Sequence, residues 1–402
     1  MRTLSLVFFS ASILAAAPPA KTGLDPLQLA RIPVRMQELV NSGDIPGAVT
    51  LVARHGEIAT LEAVGWVEIE TKRPVRRDSI FQLMSMTKPF TAVGIMMLME
   101  EGKVVLSDPV ERYLPDFTKP WVMDADDAKT RTLHRAPRSI TVRDLLTHTS
   151  GLPGEPPGSA GRITVTMDRS LADVVLLDSQ APLLFDPGTK WSYSNPGMAT
   201  LGRIIEVASG QPYEKFLEER IFRPLGMKDT FFYPPSDKLD RITLLYKGEN
   251  GEWKKAGPDT QGGDPWKYRK GAKYPCPECG LFSTATDLFK FYQTILNGGS
   301  SNGARLLSRG TVQLMTASHT ASIRQTGAPS WGLGWSVVPE GPSTLDLSSP
   351  GSFGHGGAFG TDASVDPKKD LIRIFLTGIA GGNTGTARNA FMEMAGAAIV
   401  DE

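Results

Sequence analysis

Apolar residues recur at helical spacing from Leu27 to Val40 and stop at Ser42-Gly43, which predicts a first helix. Ala48 to Ala53 and Ile58 to Val67, joined around His55-Gly56, predict two strands of a hairpin. An unbroken apolar helical stretch follows from Pro89 to Met99. Asp108-Pro109 and Leu114-Pro115 then interrupt the chain. Trp121 to Arg138 is polar and reads as a surface excursion, and Thr141 to Leu146 begins another helix that stops at Ser150-Gly151. The middle of the chain is helices and loops: Ala199 to Ala208 before Gly210, Tyr213 to Phe222 before Pro224, and Asp287 to Leu296 before Gly298-Gly299. Thr284, three residues before Asp287, predicts a capping box for the last of these. Lys247 to Tyr274 is long, polar and glycine-rich, the pattern of a loop with a functional role. Strand patterns return at Leu333 to Val338, Ala363 to Val365 and Leu371 to Thr377, and Ala387 to Ile399 predicts a closing helix.

Strands at both ends of a helical middle imply an α/β lobe completed by both termini, about residues 27–107 and 300–402, with an inserted, mostly helical lobe at about 108–299. At 402 residues the chain exceeds the usual single-core size, consistent with two lobes. Basic and acidic residues number 43 each, and no like-charge run stands out. That balance argues against nucleic acid or an anionic membrane surface and favours a small substrate. Residues 1–20 differ in character: Arg2, an apolar run from Leu4 to Ala17 and the small residues Ala15-Ala16-Ala17 predict a secretory signal peptide. Pro18 after that site disfavours cleavage there, and an uncleaved anchor is the competing reading. The run is shorter than the ~20 residues of a spanning helix. The expected mature chain, 21–402, is periplasmic or secreted with no stable membrane insertion.

Both cysteines lie in Cys276-Pro277-Glu278-Cys279. A zinc site takes about four ligands and no second pair accompanies this one, so no metal is expected. The pair either closes a small disulfide loop or stays as two thiols.

Three polar motifs carry candidate chemistry. Ser85-Met86-Thr87-Lys88 is the only Ser-x-x-Lys in the chain, and Tyr193-Ser194-Asn195 the only Tyr-x-Asn. His355-Gly356-Gly357-Ala358 follows them. A serine hydroxyl is a weak nucleophile and needs a base within hydrogen-bond reach. Residues i and i+3 share one helix face, so Lys88 stands beside Ser85. Pro89 in the first turn costs no helical hydrogen bond and supports Ser85 at the helix start, facing the positive end of the helix dipole. To act as a base near neutrality Lys88 must lose its proton, which burial beside other positive character would favour. Tyr193 is a second proton carrier, and Asn195 is placed to orient a substrate carbonyl or Lys88. Gly356 and Gly357 suit a strand edge where a substrate lies close, with the Ala358 and Ser85 N–H groups as oxyanion donors. Each motif alone marks an ordinary helix start, turn or strand corner. Their order makes them a catalytic set.

With these residues in that order the chain resembles the serine β-lactamase and penicillin-binding-protein superfamily, on the class C β-lactamase, DD-peptidase and family VIII esterase side. Supporting segments include Leu145-Leu146-Thr147-His148-Thr149-Ser150-Gly151-Leu152, Pro224-Leu225-Gly226-Met227, Gly280-Leu281-Phe282-Ser283-Thr284 and Gly332-Leu333-Gly334-Trp335. The resemblance implies a two-lobed β-lactamase-like fold with an antiparallel sheet flanked by N- and C-terminal helices. It implies Ser85 as nucleophile, Lys88 and Tyr193 as general bases, a third motif on the strand lining the cleft, and no cofactor. Lys21-Thr22-Gly23 is a literal Lys-Thr-Gly but precedes Ser85, so His355 takes the third position. Lysine is usual there in β-lactamases; a histidine is only partly charged near neutral pH, which weakens the β-lactam reading.

The expectation is therefore an exported serine acyl hydrolase acting on a small ester, amide or peptide, with esterase preferred. A D-amino-acid peptidase or DD-carboxypeptidase comes next, and weak β-lactamase activity third. A binding protein with the same fold and no turnover is the alternative of another class. His148, Met96, Met97, Met99, Trp331 and Trp335 are read as packing residues.

Overall fold

The computed structural model describes residues 19–126, 130–155, 166–249, 252–257, 271–301, 303–323, 329–341, 347–381 and 384–400. Residues 1–18 of the expected signal segment, and 250–251 and 258–270 of the long polar loop, lie outside them.

Eight strands form one antiparallel sheet: β1 (Gly47–Arg54), β2 (Glu57–Glu68), β3 (Arg73–Pro74), β4 (Ser330–Trp331), β5 (Ser336–Val337), β6 (Phe353–Gly356), β7 (Asp362–Asp366) and β8 (Leu371–Thr377), in the order β4-β5-β6-β7-β8-β1-β2-β3. β8 joins the two ends of the chain, pairing with β1 from Ala48↔Thr377 to Arg54↔Leu371. His55 and Gly56 both have positive φ, 55° and 78°, as a tight two-residue hairpin turn demands.

β1 and β8 are buried along their whole length, so alternate side chains supply two different cores. Ala48, Val52, Leu371 and Phe375 pack against helices α1 (Pro26–Asn41) and α9 (Gly385–Gly396). Val49, Leu51, Ile372, Ile374 and Leu376 face a larger core shared with the remaining helices. These are α2 (Lys88–Glu100), α3 (Val142–Leu146), α4 (Leu171–Ser179), α5 (Asn195–Ser209), α6 (Tyr213–Leu217), α7 (Ala285–Leu296) and α8 (Arg309–Thr316). α2 is buried at every position from Lys88 to Leu98, the expected state of a helix that is apolar all round. It packs on α5 and α6 through Gly94, where a Cβ would come within 2.9 Å of Ile205. The mixed α/β architecture and the terminal helices on the sheet match the expectation.

Four local readings change. Leu333–Val338 is not one strand: Gly332 to Trp335 turns between β4 and β5, and Leu333 and Trp335 enter the core. Trp121–Arg138 contains a hairpin, Trp121–Asp126 against Arg131–Arg135. Thr284 caps α7 by accepting from Asp287 N–H, but Asp287 does not return the bond. Its carboxylate instead accepts from Asp229 N (2.7 Å) and Lys290 Nζ (2.7 Å). α7 also packs on β1 and β8, although its place in the chain assigns it to the helical lobe.

Gly334, with φ 81°, abuts α2 so closely that a Cβ would lie 2.4 Å from that of Ala92. Gly334→Ala should lower unfolding free energy in urea by about 2–4 kcal/mol, combining steric overlap with a left-handed backbone. Gly303→Ala, with φ 80° and nothing within 4 Å, should show only the backbone part.

Candidate active site

Ser85 sits in a single helical turn, Met84–Thr87, that feeds directly into α2. The turn is clamped at Leu83, whose N–H donates to Leu281 O (2.8 Å) and whose carbonyl accepts from Thr361 Oγ1 (3.0 Å). Gly357 lies against the same carbonyl; a Cβ there would stand 2.2 Å from both Leu83 O and Thr361 Oγ1. The missing side chain of Gly357 thus lets the third motif close onto the nucleophile turn rather than opening room for a substrate. Met84, next to the nucleophile, has φ 50°, a conformation that costs a β-carbon-bearing residue about 1–2 kcal/mol. The clamp at Leu83 holds it there.

Lys88 is fully buried while Ser85 is partly exposed. Lys88 Nζ reaches Ser85 Oγ at 2.9 Å and Glu278 O at 3.0 Å, and lies 4.7 Å from the centre of the Tyr193 ring. Burial lowers the Lys88 pKa to about 7, against the opposing pull of Glu278 and Glu155. The charged neighbours are therefore carboxylates, not the positive groups expected, and desolvation alone drives the amine toward its neutral form.

The loop behind Lys88 is closed by a Cys276–Cys279 disulfide. Its backbone grips the polar residues of α2: Pro277 O accepts from Thr91 Oγ1 (2.7 Å), and Leu281 N donates to Thr87 Oγ1 (3.1 Å). Sequence reasoning singled out the cysteines but missed Glu278 and this grip. The available signal was Thr87, Lys88 and Thr91 on one side of an otherwise apolar helix, which required a polar partner.

Tyr193 immediately precedes the cap of α5. Ser194 is the N-cap; its Oγ accepts from Gly197 N (3.0 Å) and donates to Pro153 O (2.7 Å). His148 brackets the tyrosine: its carbonyl accepts from Ser192 N (2.9 Å) and its Nδ1 from Ser194 N (3.2 Å), and its ring lies 4.6 Å from that of Tyr193. Trp331 stands edge-on to His148, Tyr193 and His355, so it lines the back of the site while being buried in it. Trp335 packs on Phe291 and Phe353 as a core residue. Burial raises the Tyr193 pKa above its ordinary value, with the Ser85 hydroxyl opposing the shift and Glu278 and Glu155 adding to it. Tyr193 thus stays a protonated phenol near neutral pH, present as a hydroxyl and not as a phenolate base.

Asn195 makes no hydrogen bond to Lys88. Its Nδ2 donates to Glu155 Oε1 (2.7 Å), while its Oδ1 is buried without a partner among the described residues. The partner of Lys88 Nζ besides Ser85 is the Glu278 carbonyl, so of the two roles expected of Asn195 the hydrogen bond to Lys88 is not formed.

His355 is buried on β6, with Nδ1–H donating to Gly356 O (2.6 Å) and Nε2 lacking a partner among the described residues. Burial, then the Lys88 charge, push its pKa down to about 3. The third motif therefore presents a neutral imidazole, not the partly charged one expected from its type. The backbone N–H groups of Ser85 and Ala358 donate to no acceptor among the described residues and remain available to an oxyanion.

A family model described as Beta-lactamase matches residues 35–396. Esterase EstB of Burkholderia gladioli is 29% identical over 390 residues, covering 91% of this chain and 94% of EstB. A putative D-alanyl-D-alanine carboxypeptidase of Escherichia coli O157:H7 is 27% identical over 405 residues, covering 94% and 90%. Among solved structures, EstCE1, described as a hydrolase with promiscuous acyltransferase activity, superimposes with a TM-score of 0.74 at 25% identity, covering 93% of this chain and 98% of EstCE1.

The electrostatics fix the sign of the pH dependence. Lys88 accepts a proton only when neutral, so kcat/KM should be low below and high above an ionisation near pH 7 that Lys88 shares with the buried Glu278, itself raised by burial to about 7. His355, already neutral there, should add no second step between pH 5 and 8. A pH–rate profile that falls, rather than rises, through pH 7 would contradict this assignment.

Proposed function

The chain belongs to the Beta-lactamase family and is a serine hydrolase; from that premise we propose that it is an esterase, cleaving small uncharged esters through an acyl-enzyme on Ser85. Neutral Lys88 takes the Ser85 proton as Oγ attacks the ester carbonyl. The N–H groups of Ser85 and Ala358 hold the developing oxyanion. As the intermediate collapses, the proton held by Lys88 passes to the leaving alkoxide by way of the Tyr193 hydroxyl, which shares the Ser85 oxygen with Lys88 Nζ as a hydrogen-bond partner. Water then attacks the acyl group, and the same proton carriers work in reverse to release the acid.

The observation that carries the ester preference is the neutral His355. Penicillins and peptides ending in D-alanine carry a carboxylate close to the scissile bond, and binding it in a water-poor site calls for a fixed cation. The charged groups acting on the catalytic residues are Lys88 itself and the carboxylates Glu155 and Glu278. This field repels an anionic substrate and accepts a neutral one.

We also propose that residues 1–20 direct export and are then removed. The Cys276–Cys279 disulfide supports that reading, because such bonds persist in oxidising compartments. N-terminal sequencing of the protein from a periplasmic or culture-medium fraction should begin near residue 21. Full-length protein confined to the cytoplasm would overturn it.

Turnover of p-nitrophenyl butyrate should exceed that of nitrocefin and of a D-Ala-D-Ala peptide in kcat/KM; hydrolysis of the peptide alone would overturn the ester assignment. A fluorophosphonate should leave its adduct on Ser85. Ser85→Ala and Lys88→Ala should each lower kcat by about 10³-fold or more, and Tyr193→Phe by about 10²-fold.

A further inference from the structure

Glu278 is buried, with 3% of its surface exposed, and it lies behind the reacting centre rather than in it. Three features fix it there. The Cys276–Cys279 disulfide closes the loop that carries it. Gly280 completes the turn where no side chain fits, since a Cβ would lie 1.7 Å from Pro275 O. The Tyr274 hydroxyl lies 2.8 and 2.9 Å from the two carboxylate oxygens, so the carboxylate is aimed inward and held. From that position the residue meets Lys88 twice, through its carbonyl at 3.0 Å from Nζ and through the attraction between ammonium and carboxylate; burial raises the Glu278 carboxyl to about 7 while Tyr274 and Lys88 pull it back, so amine and carboxyl exchange protons over the same pH range.

We propose that Glu278 is a positioning residue for the reaction: its carbonyl holds Lys88 against Ser85, and its carboxylate is the buried counter-charge that decides how readily Lys88 gives up its proton. The inference rests on Lys88 being the base. Removing the carboxylate charge while keeping its shape leaves a protonated Lys88 with less compensation in a dry site, so the neutral, base-competent amine forms at lower pH. The other groups around the pair do not replace that charge. Around Lys88 stand Ser85, Tyr193, His148, His355 and the exposed Glu155. Around Glu278 stand Tyr274, Tyr193, Tyr213, Glu155 and Asp178. Asp178 is buried, neither of its oxygens has a partner among the described residues, and burial pushes its pKa up to about 8, so it is neutral at pH 7.

The test is the pH dependence of the rate at which a fluorophosphonate labels Ser85, compared between wild type and Glu278→Gln. The acid limb should move to lower pH by about one unit or more, so that labelling well below the wild-type limb is about tenfold faster. A purely structural role for Glu278 would lower the rate at every pH without moving the limb, and that result would overturn the inference. Tyr274→Phe, which removes the donor stabilising the carboxylate, should shift the limb in the same direction by less. If Glu278→Gln loses its near-ultraviolet circular dichroism, Tyr274→Phe decides in its place, an unmoved limb again overturning the inference. Failure of wild-type Ser85 to label at all would overturn the acyl-enzyme reading itself, and this inference with it. Labelling with an unmoved limb would overturn the role of Glu278 alone.

Discussion

The placement of one amine in a dry interior is the constraint on which the site depends. Lys88 is the first residue of a helix buried for eleven consecutive positions, Lys88 to Leu98. A protonated ammonium has three donors and no acceptor, and here it has Ser85 Oγ, the Glu278 carbonyl and the face of Tyr193 around it. A neutral amine has two donors and a lone pair, so the 2.9 Å contact with Ser85 can reverse, the hydroxyl donating to nitrogen. The two protonation states therefore share one geometry. Proton transfer from Ser85 needs no rearrangement of heavy atoms, which is what preorganisation means in this site.

Much of the surrounding architecture serves to keep that geometry and its dryness. Leu83 is tied to Leu281 on one side and Thr361 on the other, so the turn carrying Ser85 bridges the loop behind α2 and the strand region in front of it. His148 fixes the backbone on both sides of Tyr193 and stacks on its ring. The same histidine is held neutral, its pKa lowered by burial first and then by Lys88 and His355, so it can accept from Ser194 N at Nδ1. It acts as a joint of the site and not as a member of the proton path.

The legibility of the sequence followed the range of the interactions involved. The hairpin at His55-Gly56, the helix after Ser85 and the terminal helices have local signatures: a turn dipeptide, an apolar run, a periodic face. Ser85 and Lys88 were legible because their contact is itself local, three residues apart on one helix. Tyr193 and His355 became candidates through the order of motifs, since nothing near them in sequence reveals that they meet. Glu278 was hidden because its contact with Lys88 spans 190 positions and begins from a main-chain oxygen, which every residue type possesses. The turn that shortens the strand expected at Leu333–Val338 to Ser336–Val337 was hidden for the opposite reason: a local apolar pattern suggested a strand, but Leu333 and Trp335 satisfy a tertiary core.

The identity of the third motif illustrates how residue type and environment can part company. A histidine in water would carry a partial charge near neutrality and could stand in weakly for a lysine. In this site the charge is disfavoured by the same burial that neutralises Lys88, and Lys88 in its protonated form disfavours it further. A lysine placed at that position would raise the field at the amine of Lys88 and offer a binding charge to an anionic substrate. The histidine does neither, and its unprotonated Nε2, without a partner among the described residues, leaves an acceptor at the back of the site. Beside the base and its phenol the site holds the Glu155 carboxylate next to Asn195 and the Trp331 Nε1–H, which has no partner among the described residues. Among the described residues, a substrate carboxylate next to the scissile bond meets the carboxylates of Glu155 and Glu278, and no fixed cation other than Lys88 acts on the catalytic residues.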